Sequence, residues 1–468
     1  MGTLVTKPTI DALPEKVLCM IFDRLNRDNV KNASLTCRRW HDIIFCSDYI
    51  NRLQLCISFD WPWNDAARSR EVMQKLNDSV KHTKRCYKKM RLVATETTTP
   101  VEDMQTIWRI IHPKVTNNLI SLTLEITWFC SIPAMRVLSD WVKLMPKLQS
   151  LSVANDHEGV DNYMYTINST TVKHMQSAGP YIFGFHMPQL ESFSGEMCIL
   201  GQLDEPAKLK RVELYSGPNE SKDRSILHPL AHVETLTMFF SVEDWLLAAI
   251  CDTCTELKHL YVAYRTGPLI RSTTLKRFSK LVNLRELVIR SISMQDMLPS
   301  DFDLGLSNLT KLELLDLGSD ALEAPTLTRL PKSIRSLTVR INARNETKVI
   351  ESITNTLPQL QKLRLMYPEQ PRVQVAKRSM QSLQHLKRLE VLVFQNAKFG
   401  ESLHLEIEAP LQKMRELLFV NCELDRNRLR GFRPIFPNLE ELQFSSHLQI
   451  DYFTNQFKRD GNEQQYLY

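Results

Sequence analysis

One short pattern of apolar positions recurs along most of the chain. Each copy contains three apolar residues. Two variable residues separate the first from the second, and one variable residue separates the second from the third, as in Leu209-x-x-Val212-x-Leu214. Clear copies begin at Leu119, Leu148, Leu209, Val233, Leu257, Leu284, Leu312, Ile334, Leu360, Leu389, Met414 and Leu439, and weaker copies at Ile50, Tyr87 and Leu190. From Leu209 onward the copies mostly start 24 to 29 residues apart. The pattern therefore predicts a repeated structural unit.

Each copy predicts a short strand followed by a helix. Side chains alternate along a strand, so the second and third apolar residues of a copy share one buried face. The residues before the next copy are long enough to return as a helix, and residues 241–254 (SVEDWLLAAICDTC) have the composition of one. One copy cannot bury its own apolar face, whereas stacked copies can. An unrelated mixture of α/β units is the alternative.

Residues 10–50 follow a helical pattern instead. Val17, Ile21 and Leu25 recur at four-residue steps after Pro14, a residue suited to a first helical turn. Asp28 is a candidate N-cap for a second short helix, and a third helical segment completes the module. So short a module cannot bury all of its large apolar residues, so we expect a partner surface. The alternative is that these helices only cap the repeats.

The same residues resemble an F-box. The resemblance lies in Leu13-Pro14-Glu15, Ile21-Phe22, Leu25, Asp28 and Ser34-Leu35-x-Cys37-Arg38-Arg39-Trp40. It implies docking onto a Skp-type adaptor, which links the chain to a cullin–RING ubiquitin ligase. Carried over by position, the adaptor-binding residues are Leu13, Pro14, Val17, Leu18, Ile21, Leu25, Leu35, Cys37 and Trp40. Asn29, Asn32 and Thr36 depart from the Leu or Val that the family usually has there.

Together the patterns predict an α/β protein with a small all-helical F-box followed by a curved leucine-rich-repeat solenoid. Parallel strands would line its concave face and helices its convex face. The predicted divisions are a flexible arm (1–9), the F-box (10–50), a junction with an irregular first repeat (51–86), about 12–14 repeats (87–450) and a C-terminal tail (451–468). An insertion near 154–180 is either a binding loop or a degenerate repeat with a slack loop.

Apolar residues also occupy outward strand positions near the C-terminus, at Val391, Val393, Leu418 and Val420. An apolar patch of that kind needs a cover. The tail after Asp451 is rich in Tyr and Phe. We therefore expect it to fold back over that end of the repeats as a cap.

Composition limits the remaining classes of function. A net charge of +6 over 468 residues is mild, which argues against a dedicated nucleic-acid binder. Ten scattered cysteines are typical of reduced thiols in an intracellular protein, and the N-terminus lacks the apolar core of a signal peptide. The longest apolar run, residues 245–251, is too short to cross a bilayer. We expect a protein of the cytoplasm, the nucleus or both, without membrane contact.

The sequence predicts no enzyme activity, no cofactor and no metal ion. It has 13 glycines and lacks a phosphate-cradling Gly loop, a GxSxG and an HExxH motif. Cys251-x-x-Cys254 has no second pair at zinc-finger spacing, which favours core packing. The basic cluster between Lys81 and Arg91 favours a solvated helix face, with a nuclear-import patch or an acidic-partner site as the alternative.

Outward strand positions are the candidates for substrate recognition. Tyr215, Phe239 and Tyr261 lie beside a run of basic residues, a combination typical of protein-binding hot spots and suited to an acidic or phosphorylated segment. The candidate residues are Arg211, Tyr215, Phe239, His259, Tyr261, Arg290, Arg340 and Arg364. Ordinary solvated strand surface is the alternative.

These patterns lead to one hypothesis and two alternatives. The hypothesis is the substrate-recognition subunit of a Skp–cullin–F-box ubiquitin ligase, which binds the adaptor through the F-box and an unknown protein substrate through the repeats. The first alternative is a non-catalytic F-box scaffold without a ligase role. The second is a ribonucleoprotein-binding adaptor that uses the basic concave surface.

Overall fold

A computed structural model gives the architecture of the chain. It describes residues 10–60, 66–82, 85–95, 100–126, 132–155, 165–178, 183–200, 203, 208–217, 224–262, 269–289, 293–294, 305–317, 324–341, 343–400, 407–424 and 432–445. The chain divides into two compact units, Met1–Leu209 and Lys210–Tyr468. The predicted arm (1–9) and tail (451–468) lie outside the described residues.

The first unit begins with the predicted helical module. Its helices are α1 (Glu15–Phe22), α2 (Arg27–Ser34) and α3 (Arg38–Cys46), flanked by 3-10 turns at Ile10–Ala12 and Asp48–Arg52. Pro14 stands directly before α1 in an extended conformation. The predicted N-cap at Asp28 is wrong, because the side chain of Asn26 accepts the Asn29 N–H at 2.9 Å and Asp28 lies inside the first turn of α2.

The module has its own small core. Leu18, Phe22 and Ile44 are fully buried there. The rings of Trp40 and Tyr49 meet Phe22 edge-on, with centroids 5.3 Å and 5.8 Å away. Aromatic edges and apolar side chains thus join α1, α3 and the following 3-10 turn into one folded piece.

The rest of the first unit alternates strands with helices. The strands are β1 (Gln54–Asp60), β2 (Lys89–Thr95), β3 (Ser121–Ile126), β4 (Ser150–Asn155), β5 (Tyr165–Asn168), β6 (His174–Ala178), β7 (Phe183–His186) and β8 (Ser192–Glu196). The helices are α4 (Ala66–His82), α5 (Pro100–Ile111), α6 (Ile132–Lys143) and α7 (Met197–Leu200), with a 3-10 turn at Thr116–Asn118. One parallel sheet has the order β1, β2, β3, β4, β6, β8, and β5 pairs with β7.

Two stretches that break the sequence pattern contain regular structure. The predicted junction (51–86) holds β1 and α4, and β1 pairs with β2 along its full length. The predicted insertion (154–180) holds β6, which lies between β4 and β8 in the sheet. Both stretches therefore contribute strands to the sheet.

The second unit continues the alternation. Its strands are β9 (Arg211–Ser216), β10 (Thr235–Met238), β11 (His259–Val262), β12 (Leu269–Ile270), β13 (Glu286–Ile289), β14 (Ser293–Met294), β15 (Leu314–Leu317), β16 (Ser336–Arg340), β17 (Lys362–Met366), β18 (Val391–Gln395), β19 (Glu416–Val420) and β20 (Glu441–Ser445). The helices are α8 (Asp244–Thr253), α9 (Ser272–Lys276), α10 (Ala324–Leu327), α11 (Glu346–Thr356), α12 (Lys377–Leu383) and α13 (Phe432–Ile435), with 3-10 turns at Arg224–Leu230, Arg277–Lys280 and Leu306–Asn308. All strands except the β12–β14 pair form one parallel sheet in chain order.

The two faces of this sheet differ. Equivalent residues of neighbouring repeats pair in register, as Val212, Leu236, Leu260 and Leu287 do, and all four are fully buried. These residues define the inner face. The alternating residues, such as His259 and its partner Glu286, define the outer face. The chain is thus a mixed α/β protein with parallel strands after an N-terminal helical module, as predicted.

None of the helices in the described ranges is both long enough and apolar enough to cross a membrane.

Candidate protein-binding surfaces

The helical module presents an apolar surface around α1 and α2. Val17 and Pro14 are exposed, and Leu35 is 77% exposed. Leu13, Ile21, Leu25 and Trp40 are half-buried at the edge of the module core, and Cys37 is also half-buried. The sequence reasoning missed Met20, which is 61% exposed one helical turn after Val17. Its three-residue spacing from Val17 was the available signal.

Leu18 has a different position from the other predicted adaptor-binding residues. Its side chain is fully buried between α1 and α3, in the core that also holds Phe22. It therefore supports the surface from behind and is not exposed on it. Contact of the nine predicted residues with an adaptor stays a prediction.

Polar contacts hold the two ends of the predicted F-box motif together. Nη2 of Arg39 donates to the Leu13 carbonyl at 2.6 Å, across 26 positions of sequence. The Trp40 indole Nε1 is buried and has no acceptor among the described residues. A buried donor without an acceptor costs stability.

The 3-10 turn after α3 closes the module. Arg52 pairs with Asp23 and lies 5.3 Å from the centroid of the Tyr49 ring. Burial, followed by the nearby Asp23 charge, raises the pKa of Tyr49 to about 12. Tyr49 is therefore neutral at physiological pH. The ion pair and the ring contact of Arg52 place residues up to Arg52 within the folded module.

The predicted basic cluster is partly neutralised within the first unit. Arg91 makes two hydrogen bonds to the Glu125 carboxylate, at 2.8 Å and 2.5 Å. The guanidinium of Arg85 lies 3.5 Å from the centroid of the Phe45 ring, a cation–π contact. Lys84 lies outside the described residues. These contacts give Arg85 and Arg91 structural roles. The predicted helix face is wrong, because α4 ends at His82 and both Lys89 and Arg91 lie on β2.

Two groups of side chains contain residue types that can bind metal ions. Nδ1 of His41 and Sγ of Cys46 lie 3.3 Å and 4.0 Å from an Asp42 carboxylate oxygen at the surface of α3. Ordinary surface hydrogen bonds account for this arrangement, so we assign no metal to it. Burial raises the pKa of the Cys254 thiol to about 12 and raises that of Cys251 as well. These two thiols stay protonated in the core and make poor ligands.

The predicted substrate-binding residues lie on the outer face of the second unit, except Arg290, which lies outside the described residues. Arg211 is exposed at the start of β9. The rings of Tyr215 and Phe239 stack with centroids 5.5 Å apart. The structure therefore brings the first part of the predicted aromatic group together on neighbouring strands.

Tyr261 lies on the outer face but is only 2% exposed. Its ring packs with Val288 and Leu314, and its hydroxyl donates to Glu286. Nδ1 of His259 lies 3.4 Å from the same carboxylate, and the His259 and Tyr261 rings are parallel. Tyr261 thus positions its neighbours, and His259 and Glu286 form the accessible part of this group.

Basic candidates cluster on β16 and β17. Arg340, Lys362 and Arg364 are half-buried there, and Nη2 of Arg364 donates to Oε1 of Gln395 at 2.5 Å. Acidic side chains, Glu286 and Asp316, occupy the outer face of β13 and β15. The basic candidates of the described outer face therefore occupy two separate places, Arg211 on β9 and this group on β16 and β17, with the acidic side chains between them.

Comparison with protein families confirms the helical module. An F-box-like family model matches residues 10–52 of the chain. This range extends to Arg52, the residue whose ion pair with Asp23 closes the module. No curated protein matches the chain. F-box-like domains generally bind Skp-type adaptors, and proteins that carry them are typically non-catalytic substrate adaptors.

Proposed function

We propose that this chain is the substrate-recognition subunit of a Skp–cullin–F-box ubiquitin ligase. The main support for this proposal is the F-box-like match over residues 10–52, together with the exposure of Val17, Met20 and Leu35 on the module. An exposed apolar surface on so small a folded piece is typical of a protein interface. The module would bind the adaptor, and the outer face of the second unit would bind a protein substrate.

We also propose that the strand–helix units are leucine-rich repeats stacked as a solenoid. The parallel pairing of equivalent positions, such as Leu236 with Val212 and Leu260, supports this. The 24 to 29 residue period of the apolar pattern supports it as well. A repeat array offers a long surface for a protein partner.

In this role the chain contributes binding and not chemistry. Holding a substrate beside a ubiquitin-carrying enzyme raises the effective concentration of its lysines near the thioester. The outer-face residues Arg211, Tyr215, Phe239 and His259, together with the basic group on β16 and β17, are the proposed contacts. The cytoplasm or the nucleus is the proposed compartment.

Adaptor capture tests the proposal directly. We expect the double variant Val17→Ala, Leu35→Ala to reduce recovery of a Skp-type adaptor at least tenfold in an affinity pull-down from proteasome-inhibited cells. Both side chains are exposed, so their truncation removes interface area without opening the core. The matched control is Leu144→Ala, Val282→Ala, two apolar side chains that are equally exposed outside the module.

The proposal fails if the wild-type chain recovers no adaptor, or if control and test variants lose it equally. Recovery of a cullin together with the adaptor distinguishes a ligase subunit from an F-box scaffold. Binding that disappears steeply with salt and with nuclease treatment would favour the ribonucleoprotein alternative.

A further inference from the structure

A row of side chains with opposite charges at its two ends crosses the outer face of the second unit. Lys362 on β17 pairs in register with Val391 on β18, and Val391 pairs with Glu416 on β19. Glu416 pairs in turn with Glu441 on β20. The row therefore runs from a basic residue, across one apolar position, to two acidic residues on adjacent strands.

The basic end of the row includes two more residues. Arg364 lies on the same face of β17, two positions after Lys362, and Arg340 lies on β16 in register with Met366 of β17. All three basic side chains are half-buried. Among the described residues, no carboxylate lies within ion-pair distance of Lys362 or Arg340. These two charges are therefore available to a partner.

The acidic end consists of Glu416 and Glu441, which are both half-buried. They occupy paired positions one strand spacing apart, about 4.8 Å, and like charges directly opposite each other destabilise a sheet. The neutral Gln443 side chain donates a hydrogen bond to Glu441. No basic side chain in the described ranges pairs with either glutamate. A cation from a partner, placed between the two carboxylates, would relieve their repulsion.

The positions between the two ends carry no charge. Val391 and Val393 on β18 pack with Leu418 and Val420 on β19, and all four side chains are buried among their neighbours on the sheet. A partner that crosses these strands therefore meets charges only at the two ends of its path.

Acidic side chains also lie on the other side of the basic group. Asp316 on β15 is two strands away from Arg364 in one row, and Glu286 on β13 is three strands away from Lys362 in the other. The basic group thus lies between two acidic areas. A long polyanion such as a nucleic acid would be repelled on both sides, whereas a short acidic element would not.

We propose that the outer face of β16 to β20 binds an extended protein segment of mixed charge. Its acidic residues contact Arg340, Lys362 and Arg364, and a basic residue further along the segment contacts Glu416 and Glu441. The proposal rests on the proposed use of this face for a protein substrate, and it adds the charge pattern that the substrate segment must have.

The register of the strands sets the spacing within that segment. Lys362 is two strands away from Glu416 and three strands away from Glu441, which corresponds to about 10 Å and about 14 Å. An extended segment advances about 3.4 Å per residue. Its acidic and basic residues therefore lie roughly three to four positions apart.

Peptide selection by the purified full-length chain tests this pattern. The probe is a phage-displayed library of random twelve-residue peptides. We expect the wild-type chain to enrich peptides whose acidic and basic residues have the spacing given above. Enrichment of peptides without this spacing, or enrichment of none, would overturn the proposal.

Charge exchange at the acidic end makes the test specific. Glu416→Lys with Glu441→Lys should weaken the binding of an enriched peptide at least tenfold, and a peptide with Glu in place of its basic residue should bind this variant again. Glu416→Gln with Glu441→Gln keeps the size of both side chains and should also weaken the original peptide. Fluorescence anisotropy of labelled peptides measures these affinities.

The matched control is Glu313→Lys with Glu408→Lys, at two exposed positions before β15 and β19. It changes the net charge by the same amount and should leave peptide binding unchanged. An equal loss in the control, a loss that the altered peptide does not restore, or full binding by the Gln variant would each contradict the proposed contact.

Competition distinguishes a protein segment from a nucleic acid. Polyuridylate should not displace the enriched peptide at concentrations where the unlabelled peptide does, and displacement by this RNA at lower concentrations would overturn the proposal. Adaptor capture by the Glu416→Lys, Glu441→Lys variant should equal that of the wild type. A chain that captures the adaptor but fails the peptide tests would lose this inference and keep the proposed function.

Discussion

Glu346 is a carboxylate held inside the second unit. Its Oε1 accepts the Tyr367 hydroxyl at 3.0 Å and the Ala376 N–H at 3.1 Å. Burial raises its pKa, and the hydrogen bond from Ala376 opposes that shift. Glu346 lies in the first turn of α11 and Ala376 directly precedes α12. The side chain therefore joins the starts of two consecutive helices.

The raised pKa predicts a pH dependence of stability. The folded-state pKa lies above the ordinary value of 4.5, so the stabilising contribution of Glu346 is complete below pH 4.5 and is lost as the pH rises through the folded-state pKa. We expect the free energy of unfolding of Glu346→Gln, relative to wild type, to increase between pH 4.5 and 8. Urea denaturation over this range measures the difference.

Two further variants make that experiment specific. Glu346→Ala leaves the Tyr367 hydroxyl and the Ala376 N–H without their acceptor and should cost about 2–4 kcal/mol at pH 4.5, and this cost should fall as the pH rises because the wild type alone loses the Glu346 contribution. Glu408→Gln, at an exposed position, should leave the pH profile unchanged. A constant difference between Glu346→Gln and wild type across the range would show that the carboxylate does not titrate there.

At the scale of elements, the start of α2 shows how neighbouring signals compete. Asn26 and Asp28 are both good capping residues, and the sequence reasoning chose Asp28. α1 ends at Phe22, and the Leu25 N–H bonds to the Phe22 carbonyl in a tight turn. After that turn the chain enters α2 at Asn26, whose side chain caps the helix by accepting the Asn29 N–H. The choice thus depends on the preceding turn.

The cap has a measurable contribution. Asn26→Ala removes the acceptor of the Asn29 N–H and should lower the free energy of unfolding by about 1 kcal/mol. Asn26→Asp keeps an acceptor and should retain most of it. Asn32→Ala, an exposed substitution inside α2, is the control. Thermal unfolding of the three variants gives the comparison, and equal losses for Asn26→Ala and Asn26→Asp would rule out a capping role.

Strand β6 is an element that the apolar pattern missed. Val172 and Met175 are buried at the first and second positions of a repeat, but Ser177 occupies the third and is buried as well. A search for three apolar residues therefore passes over it. β6 pairs with β4 on one side and with β8 on the other. This pairing stabilises a strand that the apolar pattern of its own residues does not predict.

At the scale of the whole molecule, adaptor and substrate binding are proposed for different units of the chain. Arg340→Glu with Lys362→Glu reverses two charges on the outer face. It should weaken the binding of an acidic partner at least tenfold, while adaptor capture stays at the wild-type level. Val17→Ala with Leu35→Ala should reduce adaptor capture and leave binding of the acidic partner at the wild-type level. Quantitative pull-downs of both variants measure the separation.

The control for charge is Lys332→Glu with Lys413→Glu. These two residues are exposed before β16 and β19, and the double variant changes the net charge by the same amount. If it weakened the partner as much as the outer-face variant, a general electrostatic effect would replace the proposed contact.

The sequence alone determined most of the strands of the long sheets, which of their positions enter the inner core, and that residues 10–50 form a separate helical module. These features depend on alternation and helical spacing within a few positions, and burial of an apolar face enforces them. Only the tertiary structure decided which outer-face residues reach solvent. Glu213 and Tyr261 both align with Thr237, yet Glu213 is half-buried and Tyr261 is buried. Exposure on that face depends on side chains from strands more than twenty residues away, so no local pattern encodes it.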